Sequence, residues 1–532
     1  MFFHSPDYST IRHSLCLGSE NHYGEYVPSA ALVLAGNTTS LQWVSKDEIQ
    51  ATIAHELYHC RQISATTSGI VLVSLLSLRS AIFEKFTRVL NEKFSAGLWT
   101  PILGWMNEVY SGNPQEFYDP GREYYYISKM KRNIGMVDSA LFAIGAFESD
   151  SEEDCKYWAN RFLWNGIFTD GSGMEPFKRY AGSMYGKGWW PIGVMSLLEA
   201  TALYIELLRH HGSVNSTNRA MKSLLQDERE ARGTSDLTTT DAVSYFGPFL
   251  VCEQVFPNAS QYPYHFVPIA AFWAMNSPLP HVATTDGVKV RQYPNDVSWA
   301  DVEPGHIFWS ILYDLAATFP LDTEVGSLLE IVERREPFFW TGKTDMTVSQ
   351  VIDEDIAYVE SVVRAAKNIG SSFPLAFQPL NIAKTWVERT ELFLSHSDQE
   401  GPLPGIEVCS PQYAEPAQQH IKAYLMSVMG EHLIPTWSYG NIPRFYFGHP
   451  FTCPSITSYL SSKCPALGLC NGQFPDTREL PASCWFQDCV RSTLQLEPTR
   501  IGIVSGEIRS ETHAREQSFW EPKIRSKSGD EK

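Results

Sequence analysis

His55-Glu56-Leu57-Tyr58-His59 sets two imidazoles four residues apart with a carboxylate between them. On a helix at about 100° per residue, positions i and i+4 lie roughly 40° apart, so both rings project side by side and can share one divalent cation. Glu56 sits about 100° round from His55, where it need not ligate and can take a proton from a metal-activated water. The chemistry implied is zinc-dependent hydrolysis, with His55 and His59 as metal ligands and Glu56 as general base.

Such a pair needs a helix that is buried on one side and chelating on the other. Ser45-Lys46-Asp47-Glu48 is a capping-box pattern, and Ile49, Ile53, Leu57 and Cys60 form an apolar stripe away from the histidines. Ala51 and Thr52 keep the histidine side small. Ahead of this helix, Ala30 to Ala35 and Leu41 to Val44 read as short extended segments around the turn-rich Gly36-Asn37-Thr38-Thr39, so a small N-terminal sheet is expected.

A catalytic zinc keeps three protein ligands and one open position. Gln62 and Ala65 stand where an HExxH-x-x-G-x-x-H motif has Gly and His, so a distant carboxylate is the natural candidate for the third ligand. Glu199 is the leading candidate, because it is an acid inside the otherwise apolar helical run Pro191 to Glu206, where a carboxylate needs a partner. Glu206 and His210 share its stripe. They serve as candidate outer-sphere partners or oxyanion donors, together with His211, Tyr180 and Tyr185.

The pairing of Ala54-His55-Glu56-Leu57-Tyr58-His59 with Leu198-Glu199-Ala200-Thr201-Ala202 resembles the gluzincin branch of the zinc metallopeptidases. That resemblance implies a zincin-like catalytic unit with His55, His59 and Glu199 as Zn2+ ligands, Glu56 as base, and a peptide or protein substrate. A rival ligand is Glu108, because Asn107-Glu108-Val109-Tyr110-Ser111 is similar to the ligand helix of thermolysin-like enzymes, with Gly112 where those have Asp. Two other readings stand beside the peptidase. Glu56-Leu57-Tyr58-His59 also matches the Glu-x-x-His unit of di-iron bundles, but the only second match, Glu303-Pro304-Gly305-His306, has Pro and Gly where a helix interior is needed. A non-catalytic binding or scaffold protein with a structural or vestigial metal site is the alternative from another class.

The chain has 532 residues, 43% hydrophobic and 19% charged, which suits several globular units. Its formal charge of −18 argues against nucleic-acid and anionic-membrane partners. The N-terminal residues lack a basic region followed by an apolar core, and the apolar run from Gly69 to Leu78 is too short for a bilayer, so a cytoplasmic protein is expected. Helical spacing recurs at Ala81 to Phe94, Tyr124 to Ile144, Glu152 to Ile167, Pro191 to His211, Asn218 to Glu230, Phe266 to Met275, His306 to Phe319, Val348 to Ala366 and Ala383 to Leu394. The expected class is therefore α+β and predominantly α-helical. A catalytic unit over 1–212 is followed by a polar linker around Arg232 to Thr240, a helical domain over 241–397, a Cys- and Pro-rich region over 417–508 and a charged tail over 509–532. Cys453, Cys464, Cys470, Cys484 and Cys489 could form a second, structural metal site.

Overall fold

The computed structural model describes residues 24–28, 31–35, 46–93, 192–231, 240–257, 262–277, 304–318, 327–333, 347–369, 382–395 and 405–409, with single positions Val137, Leu141, Ile144, Ala259, His420 and Ala423. Among these the protein is mostly helical, with one small three-stranded sheet. Strand β1 (Gly24–Val27) pairs antiparallel with β2 (Leu32–Ala35) in the register Gly24↔Ala35, and β2 pairs parallel with β3 (Glu407–Cys409) in the register Leu32↔Glu407. The expected extended segment Ala30 to Ala35 is thus β2, whereas Leu41 to Val44 lies outside the described residues.

Helix α1 (Lys46–Ser64) carries the motif and packs against β1, β2 and the following helix α2 (Thr67–Lys93). The two helices bend by 101° at a break of two residues. Thr66 makes the corner: its hydroxyl accepts the Gly69 amide at 3.2 Å and donates to the Gln62 carbonyl at 3.0 Å, so it caps α2 while closing α1. Gly69 is required here by space, since a Cβ on it would stand 2.5 Å from the Ile63 Cα. From Thr66 to Ala81 every residue is buried. Ser74 and Ser80 survive that burial by donating to the carbonyls of Ile70 and Leu76 one turn back. No single helix among the described residues is long and apolar enough to cross a membrane.

Helix α3 (Val194–His211) enters with its first amide donating to the Ile144 carbonyl at 3.0 Å and ends on Gly212, whose φ of 68° and amide bond to the Leu208 carbonyl make a left-handed cap. It is followed by α4 (Val214–Ala231), α5 (Thr240–Val255), α6 (Phe266–Met275), α7 (Pro304–Thr318), α8 (Leu328–Glu333), α9 (Val348–Ile369) and α10 (Trp386–Leu394). Helix α3 is central, packed by α1, α4, α5, α6 and α7, while α9 lies along α2 and α10 touches α1 and α6. Helices α5 and α8 and strands β1 and β3 are additions to the sequence-based expectation. Pro248 inside α5 hid that helix, and the Gly- and Pro-rich stretch around β3 hid that strand. Pro304 opens α7, two residues ahead of the expected start at His306, as its fixed φ allows in a first turn.

One buried ionic network holds the far side of the α1–α2 corner. Arg389 of α10, fully buried, donates to Asp355 of α9 at 2.8 Å, to Asn276 at 2.7 Å and to the Thr67 hydroxyl at 3.3 Å. Thr67 in turn donates to Asp355 at 2.7 Å. Three segments distant in sequence, the end of α6, α9 and α10, are thereby tied to the residue that starts α2. Tyr58 adds a direct tie from α1 to α10, donating to the Phe393 carbonyl.

Candidate metal centre

Two helices build the site. On α1, His55 and His59 project to the same side with ring centroids 4.7 Å apart and planes at 87°. On α3, Glu199 faces them between Leu197, Leu198, Ala200 and Ala202, all buried. Nε2 of His55 lies 3.1 Å from Nε2 of His59 and 3.4 Å from Oε2 of Glu199, and Nε2 of His59 lies 3.4 Å from Oε1 of Glu199. The three residues can offer one ligand atom each within 4.8 Å of one another.

These spacings fit a bound cation. Ligands at about 2.0–2.1 Å in tetrahedral geometry stand roughly 3.3 Å apart along each edge. Glu199 is only 1% exposed, and its Oε1 accepts no hydrogen bond in its buried position. A buried carboxylate oxygen with no donor calls for positive charge. His55 answers the same demand: burial opposes its protonation, yet hydrogen bonds to Glu199 and Glu206 prevail and raise its pKa well above the ordinary imidazole range. Burial likewise works against charge on Glu199, but His59 and His55 hold its pKa well below the carboxylate range.

Glu56 is buried beside the triad, with its Oε2 lacking any hydrogen-bond partner. Burial raises its pKa against the pull of His59 and His55, and the backbone N–H of Tyr26 in β1 donates to its carboxylate. The small sheet thus lies against the acid that stands between the two histidines.

Glu206, seven residues after Glu199 on α3, approaches the other side of His55, with Oε2 at 3.4 Å from Nδ1. An ionised carboxylate accepts hydrogen bonds, so Glu206 serves to orient His55 and cannot donate to an oxyanion. His210 and His211 are exposed in the last turn of α3. Tyr180, Tyr185, Glu108, Glu303 and the C-terminal cysteines lie outside the described residues. Among the described residues His55, His59 and Glu199 are the one such group of possible metal ligands.

The apolar back of α1 is present, with Ile53, Leu57 and Cys60 all buried, and the chelating face is largely covered too. His59, Gln62 and Ile63 are buried as well, because α3 covers that side. Only His55, at 17% exposure, meets solvent. Behind His59 a cavity of about 10 Å³, lined by Tyr26, Ile63, Leu72, Met195 and Leu198, has room for at most one water.

The sequence reading missed Gln62. It is fully buried, its Oε1 lies 2.9 Å from Nδ1 of His59, and its Nε2 donates to the Leu198 carbonyl at 3.1 Å. The available signal was its place three residues after His59, on the same helix face.

Comparison with protein-family models, with curated proteins and with solved structures finds no match to this chain. The functional reading therefore rests on the site itself.

Proposed function

We propose that this chain is a zinc-dependent hydrolase of the gluzincin type, a metallopeptidase that cleaves an amide bond in a peptide or protein substrate. The observation that carries the reading is the convergence of His55, His59 and Glu199 from two helices, with Glu199 Oε1 buried and without a donor. Two imidazoles, one carboxylate and a neighbouring non-ligating acid are the donor set of a catalytic zinc site, and they do not resemble the closed, thiolate-rich sets common in structural sites. Zinc, when bound, would supply Lewis-acid polarisation and make water more acidic.

The remaining work belongs to the protein's own groups. His55, His59 and Glu199 would hold the ion. The Tyr26 amide occupies one part of the Glu56 carboxylate and leaves Oε2 to receive a proton from water. Burial of Glu199 and His59 excludes bulk solvent from the inner side, so that access is from the side of His55 and Glu206.

The decisive experiment combines metal content with hydrolysis of a peptide library read by mass spectrometry. The wild-type protein is expected to hold about one zinc per chain at this site and to cleave in a chelator-sensitive manner. Glu56→Gln should keep the zinc and lose cleavage by at least about 100-fold, the lower end of what a general base contributes. A wild-type protein that takes up no zinc after metal-replete expression removes the reading, and a Glu56→Gln variant with full chelator-sensitive activity removes the role of Glu56.

A further inference from the structure

We propose that Gln62 is a positioning residue that selects the tautomer of His59 and sets both ligand-bearing helices in register. The proposal rests on the reading of His55, His59 and Glu199 as a metal site. Its core, however, is a statement about hydrogen positions that holds without metal.

The Leu198 carbonyl can only accept a hydrogen bond. Gln62 Nε2 lies 3.1 Å from it and donates, which fixes the orientation of the whole side-chain amide. A flipped amide would face one carbonyl oxygen with another and would aim an NH2 at His59. With the orientation fixed, Oε1 of Gln62 points at Nδ1 of His59 from 2.9 Å, and Oε1 can only accept. Nδ1 must then carry the hydrogen. In a neutral imidazole the lone pair is consequently on Nε2, the atom that faces His55 and Glu199. Both Gln62 and His59 are buried, so water does not compete for either hydrogen bond.

A second consequence follows from where the amide is anchored. Leu198 immediately precedes Glu199, so one side chain grips the ring of a ligand on α1 and the backbone next to the ligand on α3. A shift of either helix along the other would break one of its two hydrogen bonds. Outer partners of this sort are generally worth 10–100-fold in metal affinity.

The test uses the full chain in three forms: wild type, Gln62→Leu and Gln62→Glu. In metal-free protein labelled with ¹⁵N-histidine at mildly alkaline pH, two-bond ¹H–¹⁵N correlation reads the tautomer of His59, with His59→Gln supplying the assignment. Wild type should show the Nδ1–H form. Gln62→Glu keeps an acceptor opposite Nδ1 and should keep that form, whereas Gln62→Leu should shift toward Nε2–H. Competition against a chromophoric chelator then reads zinc affinity, with Gln62→Leu expected to bind roughly 10–100-fold more weakly and Gln62→Glu to recover the part that comes from the acceptor opposite Nδ1. Both variants lose the donor to Leu198, so a role confined to tying the helices together would make them equally weak. An Nε2–H form in wild type overturns the proposal even if no variant folds, as does equal weakening of the two variants. Failure of wild type to bind zinc refutes the metal site separately, because the spectrum of the metal-free protein still reports what Gln62 does to His59.

Discussion

Replacing Glu199 by Gln is the sharpest perturbation of the proposed centre, because it keeps size and shape and removes one buried negative charge. Its magnitude can be approached in two ways. At an effective dielectric of about 20, a carboxylate attracts a unit positive charge 3.4 Å away, the distance from Glu199 to either imidazole, by about 5 kcal/mol. That attraction is partly offset by the cost of burying the charge, and His55 is partly exposed, so the net effect is smaller. From the other direction, four-ligand structural zinc sites contribute roughly 10–16 kcal/mol, or about 2.5–4 kcal/mol per ligand. The two routes agree on a net loss of roughly 3–4 kcal/mol, which is a 100- to 1,000-fold rise in the zinc Kd. Chelator competition at pH 7.5, with metal content measured by elemental analysis, checks it. Glu206→Gln is the control. Glu206 is half-exposed and contacts only the outer nitrogen of His55, so its loss should cost about tenfold or less. A Glu199→Gln protein that binds zinc within threefold of wild type would refute the reasoning, since the buried, donor-free oxygen would then have no part in holding a cation.

Three further outcomes concern the frame around the site. Gly69→Ala drives a Cβ into the Ile63 backbone at the α1–α2 corner and should destabilise the protein by about 1–3 kcal/mol, read as a lower urea midpoint; an unchanged midpoint would show that the corner can relax. Asp355→Ala strands the buried guanidinium of Arg389 and should cost about 3–5 kcal/mol, whereas the double variant with Arg389→Met should recover part of it, as a double-mutant cycle in urea would reveal. His265 accepts from Asn218 at 3.0 Å, while Asn218 accepts from Tyr204 of α3, and burial holds its pKa down at about 4. The unfolded chain takes up a proton below about pH 6.5 and the folded chain does not, so stability falls as the pH drops from about 6.5 to about 4, by up to about 1.4 kcal/mol per unit. Urea midpoints of wild type and His265→Asn across that range should diverge by this amount, and parallel curves would dismiss it.

The local features of the site were legible because they obey local rules. The spacing of His55 and His59 follows from helix geometry, and the isolation of Glu199 in an apolar run follows from the cost of burying a charge. Helix α9 announced itself by periodicity, whereas α6, apolar and buried all round, was legible as an apolar run. Hidden features depended on contacts distant in sequence. Gln62 reads as an ordinary helical residue until Leu198 is beside it, and β3 reads as a turn-rich linker until β2 offers it an edge. Pro248 misled because it lies within a helix held by tertiary packing.

Strand β3 also constrains the order of events during synthesis. The two strands next to α1 emerge from the ribosome early, but their third partner is made several hundred residues later. At about 5–20 residues per second, the edge of β2 waits on the order of tens of seconds for its mate. Over that interval Glu56 depends on a two-stranded ribbon, which is marginal in isolation. A nascent chain therefore carries the histidines and the acid well before their support is finished, and any shortened product ending ahead of residue 405 should leave an open strand edge available to other chains.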